Sequence, residues 1–487
     1  MILRCEAMEM ERLVGLSSRV LSATLILAAT LTLSVEAADW PTARGNGSRT
    51  GNVDNGHGPK TGRVLWVHKS TDHYIAAPVP AGDLVLVSSL AAFNTSSFQA
   101  MSTDPLAGDK RVRWVKAAPY LKLPTVSSPV VAGNLVVFGD GMHQTDGAIL
   151  HGVQLDSGLP LWQYPVPGQL VHLEGSAAIA NGRVLIGGGN AGVICVDPQR
   201  LDLDGKQVTA AQAKVVLDAR WQQLLAAYER EKKIDPDFAI PPSEDSLPKP
   251  KPQLVWQAGA GKWHVDASVA VTHERVIVTS AYLEMEKTGD RAIIGLNLAD
   301  GGQIWKTALK HNPWAGPTVS GDVVLVGCSS IRLEPRDLSR AQGEVIAVSI
   351  TDGLVKWRRE IPAGVVSSIA VADGIAVFAG TDGCVRGWDV DSGQERWKSD
   401  PAAPFFASPA IAGGMVYVAD LKGLVQGLNL SDGKRIWSLD LAAESAVKAP
   451  GMVYGGPVIA SGRLYVATCN LESPTRGATV VVCIGDK

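Results

Sequence analysis

Three of the nine histidines, His172, His264 and His311, stand at one recurring position. Each lies ten residues before the turn that follows a short apolar strand. His73 sits one place off that row. Eight residues before the corresponding turns come Tyr74, Glu174, Asp266, Phe405 and Tyr454, with Trp263, Trp314, Phe406 and Met452 beside them. Imidazole and carboxylate together suit zinc, copper or iron, so His172, His264 and His311 are candidate metal ligands. Glu174 and Asp266 are candidate general bases. His73, Tyr74, Trp263, Trp314, Phe405 and Tyr454 complete a candidate ligand-binding surface.

The elements that must carry these loops show as a repeat. Eight of the 13 tryptophans close a similar unit: Trp66, Trp114, Trp162, Trp256, Trp305, Trp357, Trp397 and Trp437. Their spacings are 48, 48, 94, 49, 52, 40 and 40 residues, the 94 being one unit with an insertion. Each unit reads as a short apolar strand, a turn, a β-rich strand, a third strand ending in Asp or Asn, a Gly turn and a fourth strand ending in Trp. Asp391-Ser392-Gly393 and Ser431-Asp432-Gly433 are hairpin turns in which Gly takes positive φ. One four-stranded sheet cannot bury both faces, but blades packed around an axis can, with a Trp wedged at each interface.

The expected fold is therefore all-β: an eight-bladed propeller of four-stranded antiparallel blades over residues 63–487, with one helical insertion in blade three. The last unit ends after its third strand, so residues 63–67 are expected to supply its fourth and close the ring. In such a ring the loops leading into the first strands gather at one mouth of the central channel.

The insertion spans residues 197–253. Thr209 and Gln212 have capping-box form. Leu217, Trp221, Leu224, Leu225 and Tyr228 fall on one stripe of a helix over about 210–233, followed by a Pro-rich tether from Pro236 to Pro252.

A formal net charge of −3 gives no basic face for nucleic acid. Arg4, Arg12 and Arg19 precede an apolar run from Val20 to Val35, and Val35-Glu36-Ala37 has the form of a cleavage site. Residues 1–38 thus read as a signal peptide, with 39–62 a lead-in segment. The run would span roughly 24 Å as a helix, short of a ~30 Å hydrocarbon core, and no later stretch is long and apolar enough to cross. The expectation is an exported protein, periplasmic or at the surface of a bacterium. Cys195, Cys328, Cys384, Cys469 and Cys483 include no CxxC or adjacent pair and read as small buried hydrophobes, although Cys469 and Cys483 could meet on neighbouring strands.

The units resemble the quinoprotein (PQQ-type) repeat shared by quinoprotein dehydrogenases and BamB-type outer-membrane assembly proteins. Segments such as Val385–Trp397 and Val425–Trp437 carry the likeness, which extends over essentially residues 63–487. It implies a WD40-like ring acting as a protein-binding scaffold, with other envelope or extracellular proteins as partners. The other branch of the resemblance implies a PQQ- or metal-dependent oxidoreductase of alcohols or sugars, with quinone and calcium at the mouth. The adjacent Cys-Cys pair and CxxCH haem site of those enzymes are missing here. A small-ligand or carbohydrate sensor, using Trp263, Trp314, Phe405 and Tyr454 as stacking platforms, is the third reading.

Overall fold

The computed structural model describes residues 40–52, 56–91, 95–143, 145–331, 335–470 and 477–486, so the expected signal peptide lies outside the described residues. Eight sheets of antiparallel strands form the blades of a propeller. Blade one covers residues 79–116, blade two 130–166, blade three 178–258 and blade four 270–308. Blade five covers 318–361, blade six 370–398, blade seven 410–440 and blade eight 458–484. The strand Val64–Ser70 completes blade eight by pairing with Thr479–Ile484, from Val64 opposite Ile484 to Ser70 opposite Thr479. The Asp486 carboxylate accepts from the backbone N–H groups of Lys60 and Thr61 and fastens this closure.

The repeated tryptophan holds neighbouring blades together in two ways. Trp397 of blade six is buried, and its indole N–H donates to the Leu430 carbonyl of blade seven at 2.8 Å. Trp114, Trp256, Trp305 and Trp357 make the same bond to Leu155, Leu298, Ile350 and Val390 of the following blade. The ring of Trp397 is clasped by two glycines. A Cβ on Gly387 would lie 2.2 Å from it, and one on Gly433, in the turn of the next blade at φ +70°, would lie 2.3 Å from it. The Gly of the third strand and the Gly of the turn are therefore fixed by the Trp of the unit. Burying an indole removes roughly 200 Å² from water, about 5 kcal/mol at ~25 cal/mol per Å² as an upper bound.

The helix α1, Ala210–Ile234, begins with the expected capping box between Thr209 and Gln212. The expectation placed it in blade three; it stands instead outside that sheet, between blades three and four, on the excursion the chain makes before the last strand of blade three. It packs on Pro160–Val166, Val193–Leu203 and Lys206–Thr209. The tether after it runs along the outer edge of blade two, where Gln163 N donates to Pro250 O at 3.0 Å. The outermost strand of blade two needs such cover because its edge N–H groups have no further strand. No helix among the described residues is long and apolar enough to cross a membrane.

The lead-in segment is built into the ring. Residues 41–51 wind across one end of the channel, and the innermost strands donate to them in order: Val131 N to Pro41 O, Val271 N to Gly47 O, Val319 N to Ser48 O, Val371 N to Thr50 O and Ile411 N to Gly51 O. The segment satisfies inner-edge donors that would otherwise face the channel. Arg49, 1% exposed, donates to the carbonyls of Val269, Ala43, Ser176 and Ala177 and to the Thr42 hydroxyl.

Candidate metal centre

The inter-blade loops meet at the channel mouth, above a cavity of about 600 Å³. His172 comes from the loop between blades two and three, and His264 and Asp266 from the loop between blades three and four. His143 joins them from a different kind of loop, that between the second and third strands of blade two. One ligand atom from each of His143, His172, His264 and Asp266 lies within 4.8 Å of all the others.

The geometry of the buried pair is specific. His264 Nε2 stands 3.0 Å and His172 Nε2 3.4 Å from Asp266 Oδ1. For four ligands at about 2.0–2.1 Å around a tetrahedral zinc, neighbouring donors lie roughly 3.4 Å apart. Both imidazoles are fully buried. Yet His172 Nε2, His264 Nε2 and Asp266 Oδ1 have no aligned hydrogen-bond partner. The opposite nitrogen of His264 is held from behind, its Nδ1 bonding Asn190 Oδ1 at 2.7 Å, whereas His172 Nδ1 lies 3.2 Å from Glu174 Oε1 with no aligned hydrogen bond between them. Asn190 Oδ1 also accepts from the Thr288 hydroxyl. In the neutral ring with Nδ1 donating to that amide oxygen, Nε2 carries the lone pair and can share an ion with Asp266; in the charged ring Nε2 donates to the Asp266 carboxylate instead. An acceptor behind the imidazole, as Asn190 is behind His264, is the usual support of a metal-binding histidine.

Electrostatics follow from the same crowding. Burial opposes the charge of His172, but bonding distance to Glu174 and the charges of Asp266 and Glu174 outweigh it and raise its pKa. Burial would also raise Asp266, but His264 above all, with His172 and His143, holds it below the usual carboxylate range.

The remaining expected site residues divide. Glu174, Trp314 and Tyr454 line the cavity. His311 does not join the metal group. It borders a separate cleft with Arg340 and Glu360, because the loop registers differ by one residue. The structural equivalents are His264 bridging Ala281, Asn312 bridging Ser329, His73 bridging Leu90 and Met452 bridging Cys469. Asn312 thus occupies the place expected for His311. His73 accepts from Asn470 N at Nδ1, 3.0 Å away. Tyr74 is fully buried between blades, and burial pushes its phenol up to about 12. Phe405 turns into the core between blades six and seven, and its neighbour Phe406 lines the cavity, edge-on to Tyr454. Trp263 is buried in the core of blades three and four and borders an outer cleft.

His143 and Asn190 were missed in the sequence because only loops leading into first strands were aligned. In a four-stranded antiparallel blade the loop between strands two and three emerges at the same end, so a His in such a loop was the signal to follow.

The donor set does not suit calcium, which takes six to eight oxygens; imidazole nitrogens dominate here. The five cysteines of the described chain are all buried and reduced, so no disulfide lies under the mouth.

A family model described as "Outer membrane protein assembly factor BamB" matches residues 57–228, 249–364 and 341–473. No curated protein sequence matches this one. Among solved structures, BamB from Moraxella catarrhalis aligns at 13% identity and a TM-score of 0.54, over 85% of this chain and 99% of that one. Quinohemoprotein alcohol dehydrogenase from Comamonas testosteroni aligns at 11% identity and a TM-score of 0.57, over 94% and 82%. The computationally designed Ika8 protein aligns at 12% and 0.57, over 86% and 100%. At these identities the likeness is one of fold.

Proposed function

The chain belongs to the family of outer membrane protein assembly factor BamB, and from its mouth we propose a metalloprotein that binds a first-row transition ion, zinc by preference, and uses it to hold a small ligand in the channel. The observation that carries this reading is the convergence of His172 Nε2, His264 Nε2 and Asp266 Oδ1, buried, without aligned partners, and backed at His264 by Asn190. Those three are the fixed ligands. His143 is exposed and stands edge-on, its ring 5.7 Å from His172 and 6.2 Å from His264, so it is the ligand that can give way. Three protein ligands and one exchangeable position are the arrangement of ions that act on substrates. A bound ion there supplies Lewis acidity and acidifies its water. Glu174 lines the same cavity, its Oε1 3.2 Å from His172 Nδ1, and is the carboxylate we assign as base.

Cobalt(II) titration tests the reading. Intense visible bands of tetrahedral cobalt should saturate at one ion per chain, and added azide should shift them by entering the exchangeable position. Weak octahedral bands, or none, would overturn it.

The family description and the exposed Ile234 at the end of α1, with Phe238 and Ile240 just beyond it, favour a second role, docking of another envelope protein on the excursion. A photo-crosslinker at Phe238 should then capture one partner reproducibly in cells, and scattered or absent products would remove this role. Export to the periplasm or cell surface belongs to the same reading. It is tested by whether the mature chain starts near Ala38.

A further inference from the structure

The cavity at the mouth has two unlike walls. Glu174 and Asp266, at the entries of blades three and four, line one side together with His143. Phe406 and Tyr454, at the entries of blades seven and eight, line the other. In a ring of eight blades, three faces seven and four faces eight across the axis, so the metal wall stands opposite an aromatic one. Trp314, Phe406 and Tyr454 are each half-buried and lend part of their surface to the cavity.

The aromatic wall is set in advance. Trp314 Nε1 donates to Ile331 O at 2.9 Å, and Trp314 and Phe406 pack on the buried Ile331, Ala341 and Val366. Tyr454 stands edge-on to Phe406, with ring centroids 5.4 Å apart. Ile75 and Val126 extend the apolar lining. The serines on this side are already engaged by the ring: Ser408 Oγ accepts from Ser368 N, and Ser368 Oγ donates to Gly316 O. Below, the terminal nitrogens of Arg44 donate to the carbonyls of Pro409 and Ile369. Residues 41–51 cross the channel there, so the cavity is blind and a ligand enters and leaves by the mouth.

We propose that the ligand held by the ion is a small amphiphilic monoanion. Its carboxylate takes the exchangeable position on the ion in place of His143, and its apolar body crosses the channel to Trp314, Phe406 and Tyr454. The inference rests on the metal reading and names the ligand class of that same site. The two positive charges of the ion exceed the single carboxylate of Asp266 that binds it, which favours an anionic head over a neutral one. Burying a phenyl-sized body strengthens binding by about 10–100-fold over the head alone.

The test uses the cobalt-loaded full chain, with 3-phenylpropionate, acetate and the neutral 3-phenylpropanamide titrated against the visible cobalt bands. 3-Phenylpropionate should shift the bands, which reports a carboxylate on the ion, with an apparent Kd about 10–100-fold below that of acetate. The amide should leave the bands unmoved at the same concentrations. Phe406→Ala should reduce the preference for 3-phenylpropionate over acetate by at least about threefold. Since Phe406 also packs on buried neighbours, Trp314→Leu serves as a second variant on the same wall and should act in the same direction. Bands recorded before ligand is added check the ion site in each protein. With tetrahedral cobalt present, equal affinities for acetate and 3-phenylpropionate, no shift by either, or a preference that survives both variants overturns this inference and leaves the metal reading standing. So does binding of 3-phenylpropionate, seen by calorimetry, that leaves the bands in place. Absence of tetrahedral bands from the parent chain overturns the metal reading, and this inference with it.

Discussion

Replacing Asn190 by Ala isolates the geometry of the metal group without removing a ligand. The Asn190 side chain holds His264 Nδ1 at 2.7 Å and is itself held by Thr288. Without it, the imidazole can rotate or take the other tautomer, and Nε2 is no longer reserved for the ion. Losing an outer partner of this kind costs about 10–100-fold in metal affinity, or roughly 1.4–2.7 kcal/mol. That range agrees with a hydrogen bond worth about 1 kcal/mol plus the restored freedom of one ring. The assay is competition for zinc against a chromophoric chelator, at fixed pH. Asn190→Asp keeps an acceptor behind the imidazole and should retain affinity within a few-fold. An Asn190→Ala affinity within twofold of the parent would refute the argument. So would a loss as complete as that of His264→Ala, since Asn190 would then be acting on the fold rather than on one ring.

Other outcomes follow from the same packing. Gly387→Ala forces a methyl into the Trp397 ring, which Gly433 blocks from behind. It should cost about 3 kcal/mol, lowering Tm by about 3 °C if the ring melts as one unit, as read by calorimetry. Arg49→Met leaves five acceptors without their donor. It should release the lead-in segment, seen as rapid proteolysis before residue 60 while the blades stay intact. In the Asp382–Arg386 pair, burial would raise Asp382 but the Arg386 guanidinium outweighs it and lowers it below the usual carboxylate value. A depressed folded pKa contributes stability present above the unfolded value near 4 and lost as pH falls through the folded one. Asp382→Asn should therefore flatten the acid limb of the stability curve, measured by urea melts between pH 6 and 3.

The ring was legible because its most costly contact repeats in sequence. A Trp that must fit between two glycines and donate to the next blade leaves a fixed spacing, as at Gly387, Trp397 and Gly433. Three of the four residues of the metal group, His172, His264 and Asp266, were legible for a related reason, since they and Glu174 keep step with their first strands. His311 was read one residue out of register, because nothing in a loop enforces the spacing that pairing enforces in a strand. His143 and Asn190 come from loops joined to other strands, so only the alternation of strand direction brings them to the same end. The anchoring of the lead-in segment through Arg44 and Arg49 had no repeat to betray it. Their contacts reach residues as distant in sequence as Pro409 and appear only once the ring is closed.

The central claim, an ion held by His172, His264 and Asp266, is tested most directly by counting zinc. The full chain is loaded, dialysed against metal-free buffer and measured by inductively coupled plasma mass spectrometry alongside a His172→Ala/His264→Ala double variant. The account predicts close to one zinc per parent chain and less than about a tenth in the variant, with both proteins folded. Equal zinc in the two proteins, or none in the parent, would contradict it.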